Sequence, residues 1–521
     1  MKKNALLFLV FVFLTCSSFA VTELRTMESM VMRSIILKQD VHFSVCLPKT
    51  YYTVKQSFPV VYLLHGLGDN ETAWLEYGQI AQYSDNSVEE GETVPMIFVM
   101  PEAFRTYDVN DYKSTFLYQD FFVKELVPYI DSLFRTIADK RHRAVMGYSM
   151  GGFGALMLHL KHADVIGTAV PLSISVRTDE QYMTEDASGW DEQWGRLFGE
   201  PGLKGADRIT TYYKQNSPFH ILSQMSAAEI KKLNIYIDNG DKEQTLCRSN
   251  EELHILMRNL NIPHEFRVRD GGHSFQYWRS ALPNALRFIS DAFESKKYRG
   301  DIVNGTRVTA QLPENQLRTI NVNAEQAYAY VPAEYDLTNR LYPVIYFTGN
   351  FTSAQRTIIS TSVNAEIEHN YLCPMLLVFL PKNAGSRFTA TQAELTEKLR
   401  IRKGYRFRAL AGFGEEALQA CKTAMNDEQF CAVVLSDAYL SKDSISGLFS
   451  AMKPKALERT SFFIDAPDKG KFYEGNGNAH MLLRDNEMQH EYRVREGAGG
   501  FEWFLGGFPE IISFTSKRFH K

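Results

Sequence analysis

Strand-like apolar segments recur along this chain. Phe58-Pro-Val-Val-Tyr-Leu-Leu64 is an unbroken apolar run that breaks into the glycine-rich loop His65-Gly-Leu-Gly68, and further strand-like segments follow at residues 94–101, 143–147, 166–172, 233–238 and 264–269. Runs of this kind suit strands buried on both faces of a parallel sheet. Between them, residues 118–134, 155–160, 250–260 and a last segment reaching about Phe293 place apolar positions at helical spacing. Strands that alternate with helices predict a doubly wound α/β sheet.

Beyond residue 300 the pattern returns in the same order. Tyr342-Pro-Val-Ile-Tyr-Phe347 repeats Phe58-Pro-Val-Val-Tyr-Leu63, and 373–381 echoes 94–101. Arg408-Ala-Leu-Ala-Gly-Phe-Gly414 repeats Arg143-Ala-Val-Met-Gly-Tyr-Ser149. Residues 463–470 repeat 236–243, and 490–499 repeat 264–273. A repeat this long that keeps its order predicts duplication of a whole fold rather than a short solenoid period. The polar stretch 296–301 suits a linker. The expected division is a leader at 1–20, a first domain at 21–297 and a smaller second domain at 298–521, each with its own mostly parallel sheet.

Length agrees with that division, since 521 residues exceed one typical domain. Net charge is −4 with no Lys/Arg cluster, which argues against nucleic acid as a partner. Lys2 and Lys3 before the apolar run 5–14, then Ser18-Phe-Ala20, read as a signal peptide too short to span a membrane. The expectation is export to the periplasm or beyond, with no integral membrane segment once the leader is removed. Thr15 before Cys16 fits lipid attachment poorly. Five further cysteines are too sparse and too odd a set for a disulfide scaffold.

The repeat also points to candidate chemistry. Gly147-x-Ser149-x-Gly151 sits between a strand pattern and a helix pattern, where a tight turn lifts a serine hydroxyl above the sheet edge. Ser149, Glu243 and His273 all become glycine in the second copy, at Gly414, Gly470 and Gly499, while Asp238 and Asp241 persist as Asp465 and Asp468. Joint loss suggests a joint task. The serine is the candidate nucleophile, the histidine its base, and Glu243 the carboxylate that orients the imidazole, with Asp241 as the alternative acid. Backbone N–H groups of Met150 and Leu67 are the candidate donors to the oxyanion. His65 on the same loop, and Trp190 and Trp194 in the aromatic-rich insertion 177–225, are candidate substrate contacts. Aromatic residues in an insertion also commonly form its own small core.

Cys46-Leu-Pro-Lys-Thr-Tyr51, Leu64-His-Gly66, Gly147-Tyr-Ser-Met-Gly-Gly152, Asn216-Ser-Pro218 and Gly271-Gly-His273 together resemble the esterase D-like "putative esterase" family, over about residues 28–295. The family includes feruloyl and acetyl xylan esterases. The resemblance implies two tandem α/β-hydrolase domains, the second without its catalytic residues. It also implies hydrolysis of a carboxylic ester through an acyl-serine intermediate, with no metal and no cofactor. Glu243 stands where the family usually has Asp. The implied partner is a small-molecule or polysaccharide ester, and a homodimer is compatible with the sequence. Transfer of the acyl group to a sugar hydroxyl is the alternative reaction.

Overall fold

The computed structural model describes residues 24–302, 312–369, 371–381, 384–426, 430–441 and 459–519. The expected leader at 1–20, with Cys16, lies outside them. Strands β1 (Thr26–Arg33) and β2 (Asp40–Cys46) form an antiparallel pair at one sheet edge. Next come β3 (Val60–Leu64), β4 (Ile97–Pro101), β5 (Arg143–Tyr148), β6 (Thr168–Leu172), β7 (Tyr236–Gly240) and β8 (Glu265–Arg269). Their spatial order is β1-β2-β4-β3-β5-β6-β7-β8, and every neighbour from β4 to β8 is parallel.

The later strands are β9 (Leu317–Val322), β10 (Glu325–Tyr330), β11 (Val344–Thr348), β12 (Leu376–Phe379), β13 (Arg408–Phe413), β14 (Ala432–Ser436), β15 (Ser461–Pro467) and β16 (His490–Arg495). They run β16-β15-β14-β13-β11-β12-β10-β9, the mirror of the first order. The sequence predicts two sheets. Among the described residues they are one sheet of sixteen strands, joined where β8 meets β16 antiparallel at Val268 and Val494. Each of these edges would otherwise present unpaired backbone groups, and pairing them removes that liability.

Burial explains the apolar runs. Every residue of β3, β4 and β5 is buried, and alternate side chains serve opposite faces. Val60, Tyr62, Leu64 and Val145 pack with Met150, Phe153 and Leu156 of helix α1 (Met150–Lys161). Val61, Leu63, Ala144 and Met146 face the other way, with Trp278, Leu282 and Ile289 of a later helix, Phe275–Phe293. Helices α2 (Thr245–Asn259) and α3 (Phe275–Phe293) follow β7 and β8, and α4 (Tyr473–Asp485) and α5 (Phe501–Arg518) follow β15 and β16. The fold is a mostly parallel α/β sheet with helices on both faces, of α/β-hydrolase type. The strand expected over 94–101 begins only at Ile97. Pro95 just before it has no N–H to give a ladder.

Candidate active site

The turn between β5 and α1 is as tight as its glycines suggest. Ser149 adopts φ 57° and ψ −116°, a left-handed conformation costly for a residue with a Cβ. A Cβ on Gly147 would overlap the Gly151 carbonyl, and one on Gly151 would overlap the Leu64 carbonyl. The backbone comes so close there that only glycine fits. The turn is held on its far side too, since Ser149 N–H donates to Leu172 O at 3.0 Å and Ser149 O accepts from Ser175 N–H at 3.0 Å.

Glu243 lies on the loop after β7 and His273 on the loop after β8. Parallel neighbours end side by side, so the two loops meet at the carboxyl edge of the sheet. Glu243 Oε2 accepts from His273 Nδ1 at 2.6 Å. The carboxylate side chain is 1% exposed and the imidazole 41%. One face of the pair is therefore fixed inside the protein and the other is open. A carboxylate on Nδ1 places the proton there and leaves Nε2 as a free acceptor.

Two residues that sequence reasoning left without a role complete this arrangement. Ser173, at the end of β6, donates Oγ–H to Glu243 Oε1 at 2.5 Å. Trp278 on α3 donates its indole N–H to Ser173 Oγ at 2.9 Å. The indole also stacks on Tyr148 at 4.0 Å between centroids and meets His273 edge-on at 5.1 Å. Tyr148 is the residue before the serine, so one indole buttresses both the turn and the imidazole. Trp278 lies five residues beyond the Gly271-Gly-His273 motif, and nothing in the sequence ties it to Ser173. Ser173 carried no signal beyond its place after a strand.

Asp241, the alternative acid, is occupied elsewhere. Its Oδ1 accepts from Gly271 N–H at 3.1 Å, and its Oδ2 accepts from Arg493 Nη1 at 2.8 Å. Asp238 accepts from Arg269 Nε at 2.9 Å and from the Tyr236 hydroxyl at 3.0 Å. Burial raises the carboxyl pKa of both against the pull of their arginines.

Met150 is the first residue of α1, so its N–H belongs to the free helix N-terminus beside Ser149. The loop after β3 passes close by, for a Cβ built on Gly66 would stand 3.5 Å from Ser149 Cβ. Leu67 follows it and is 40% exposed.

The three expected substrate contacts need correction. His65 is buried, with Ala103 N–H donating to Nε2 at 2.8 Å and Nδ1 bonded to Gly66 O at 2.8 Å. Nε2 also lies 3.3 Å from Glu102 Oε1, so both ring nitrogens are committed inside the protein and His65 shapes the loop rather than meeting a ligand. Trp190 and Trp194 are 0% and 3% exposed. Trp190 donates its indole N–H to Glu200 O at 2.9 Å and packs edge-on against Tyr182. Trp194 stacks on Phe198 and meets Tyr107 edge-on at 4.8 Å. The insertion spends its aromatic surface on its own core, which leaves no indole face for a sugar or an acyl group.

At the equivalent turn of the later strands, Gly414 takes φ 62° and donates N–H to Ser436 O at 3.0 Å, as Ser149 does to Leu172. Asp437 stands where Ser173 does, and its Oδ2 accepts from Gly500 N–H at 3.1 Å. A Cβ on Gly499 would overlap the Asp437 carboxylate.

Residues 34–289 match the family model described as "Putative esterase". The chain is 36% identical over 135 residues to an endo-1,4-beta-xylanase/feruloyl esterase of Xylanibacter ruminicola, covering 24% of this chain and 18% of that protein. It is 28% identical over 252 residues to an esterase of Mycobacterium tuberculosis, covering 45% of this chain and 52% of that protein. The chain thus spans about half or less of the length of these curated relatives. A solved ferulic acid esterase aligns at 29% identity and a TM-score of 0.45, over 52% of this chain and 99% of that one.

Proposed function

The chain belongs through residues 34–289 to the "Putative esterase" family, and on that premise we propose that it is a serine carboxylic ester hydrolase with Ser149, His273 and Glu243 as its catalytic residues. The observation that carries the reading is the 2.6 Å bond from a half-exposed imidazole to a buried carboxylate, at the same carboxyl edge of the sheet as a serine in a strained turn. His273 Nε2 takes the Ser149 proton as Oγ attacks the ester carbonyl. Glu243 holds the imidazole tautomer and balances the imidazolium that forms. The N–H groups of Met150 and Leu67 receive the negative charge of the tetrahedral intermediate. Collapse returns the proton to the leaving alkoxide and leaves an acyl-serine, which water then hydrolyses by the reverse proton path.

The proposed substrates are acetyl or feruloyl esters of carbohydrates or similar small esters, in keeping with the feruloyl esterase named among the relatives. The proposed setting is outside the cytoplasm, after removal of residues 1–20. The C-terminal half is proposed as a second domain without catalysis, because glycine stands at all three equivalent positions and Asp437 closes the place of the imidazole. Ser149→Ala is expected to lower the turnover of a chromogenic acetyl or feruloyl ester on the order of 10⁴-fold or more. Turnover equal to that of the unaltered protein would refute the reading. Product analysis with an added sugar acceptor separates hydrolysis from transfer, and free acid is the expected product.

A further inference from the structure

Where β8 meets β16, one ion pair is made twice. Arg493 Nη1 donates to Asp241 Oδ2 at 2.8 Å, and Arg267 Nη1 donates to Asp468 Oδ2 at 2.8 Å. Each arginine belongs to one half of the sheet and each aspartate to the other. The aspartates do the same local work, since Asp241 Oδ1 accepts from Gly271 N–H and Asp468 Oδ1 accepts from Gly497 N–H.

The two copies differ in what they hold. Asp241 stands two residues before Glu243, and Gly271 two residues before His273. The same loops are tied again by Lys242 N–H donating to Gly271 O at 2.9 Å. One carboxylate therefore clamps the loop of the acid to the loop of the base. Its second oxygen is matched by Arg493 and by Tyr492 N–H at 3.2 Å, and Arg484 donates to the Asp241 carbonyl. Arg493 is itself held by Glu510 and Glu491, each at 2.7 Å. Asp241 and Arg493 are both buried, so the pair is shielded from solvent and its geometry is well defined. The Asp468 clamp joins loops that carry only Gly470 and Gly499.

We propose that the C-terminal half supplies a positioning residue to the active site: Arg493, acting through Asp241, sets the geometry of the Glu243–His273 pair. The proposal rests on the esterase reading for its effect on rate, and on the hydrogen bonds alone for its effect on the pair. The second half then acts as an internal brace for catalysis across the seam, beyond any part in stability.

The duplicated pair provides its own control, because Arg493→Met and Asp468→Asn both lie in the C-terminal half and both break one copy of the same seam contact. In full-length protein, Arg493→Met is expected to lower kcat about tenfold or more, with KM within about threefold, as small misplacements of catalytic groups do. The limb of its pH profile set by His273 should also shift. Asp468→Asn should keep kcat within about twofold and leave that limb in place, although both variants lower Tm. Arg493→Lys, which keeps the charge without the fork, should recover part of kcat, and it carries the test if Arg493→Met does not fold.

A second readout needs no turnover. The downfield N–H proton of the His273–Glu243 bond, assigned by its loss in His273→Gln, should shift or broaden in the Arg493 variants and stay unchanged in Asp468→Asn. An equal loss of kcat in Asp468→Asn overturns the proposal. So does an Arg493 variant with an unperturbed kcat and proton. If hydrolysis proves independent of Ser149, the esterase reading fails and the proton resonance still decides the positioning role.

Discussion

Glu243 is where the proposed catalytic role is most easily separated from mere packing. Glu243→Gln would keep the size of the side chain but remove the charge that balances an imidazolium, and an amide can present its NH₂ to Nδ1 and so favour the wrong tautomer. The expected loss in kcat is on the order of 10³- to 10⁴-fold with little change in KM, read by steady-state kinetics on a chromogenic ester. His159 makes a separate prediction about stability. It is buried, bonds Nδ1 to Ile166 O at 3.0 Å and accepts from Asn234 N–H at Nε2 at 3.1 Å. Burial pushes its pKa down to about 4. In the unfolded chain the imidazole titrates near 6.5, so between these values the unfolded state binds the extra proton. Stability therefore falls as pH drops from about 6.5 towards 4, by up to about 3 kcal/mol from this group. Denaturant melts across that range should show the slope, and His159→Gln should flatten it. Ser149, Glu243 and His273 stand out in the sequence because glycine stands at the corresponding places where the pattern recurs. Ser173 and Trp278 do not, because they act through hydrogen bonds between segments about a hundred residues apart.

Among the elements, the strand–turn–helix around Ser149 leaves little room for change. In Gly151→Ala the new methyl meets the backbone of β3 rather than a side chain that could move aside. A loss on the order of 3 kcal/mol is expected, seen as a lower Tm or as insoluble protein. Gly68 is the contrast, with φ 89° but open space around it, and Gly68→Ala should cost only about 1 kcal/mol. The insertion between β6 and β7 tests the corrected role of its tryptophans. Trp190→Ala should lower stability by about 3 to 5 kcal/mol in thermal melts. Trp190→Phe should leave KM for small esters unchanged, whereas a residue that stacks on substrate would raise it. The strands were legible because a buried parallel strand has to be apolar on both faces. The insertion was not, since aromatic residues among charges look alike whether they face a ligand or each other.

For the molecule as a whole, the seam makes one sheet of two halves. A chain truncated after Asp301 would expose β8 as an edge, with Arg267 deprived of Asp468 and the buried carboxylate of Asp241 deprived of Arg493. Such a chain is expected to aggregate or to pair with itself through β8, which light scattering on the purified fragment would detect. By itself the sequence determined the alternation of buried strands and helices, the internal repeat and the cluster of residue types at the turn. Those features follow from local spacing and from comparison of one half with the other. The tertiary structure decided that Asp241 serves the seam, that the insertion's tryptophans form a core, and that the two sheets are continuous. All three depend on which side chains meet across hundreds of residues, and no local pattern of polarity encodes that.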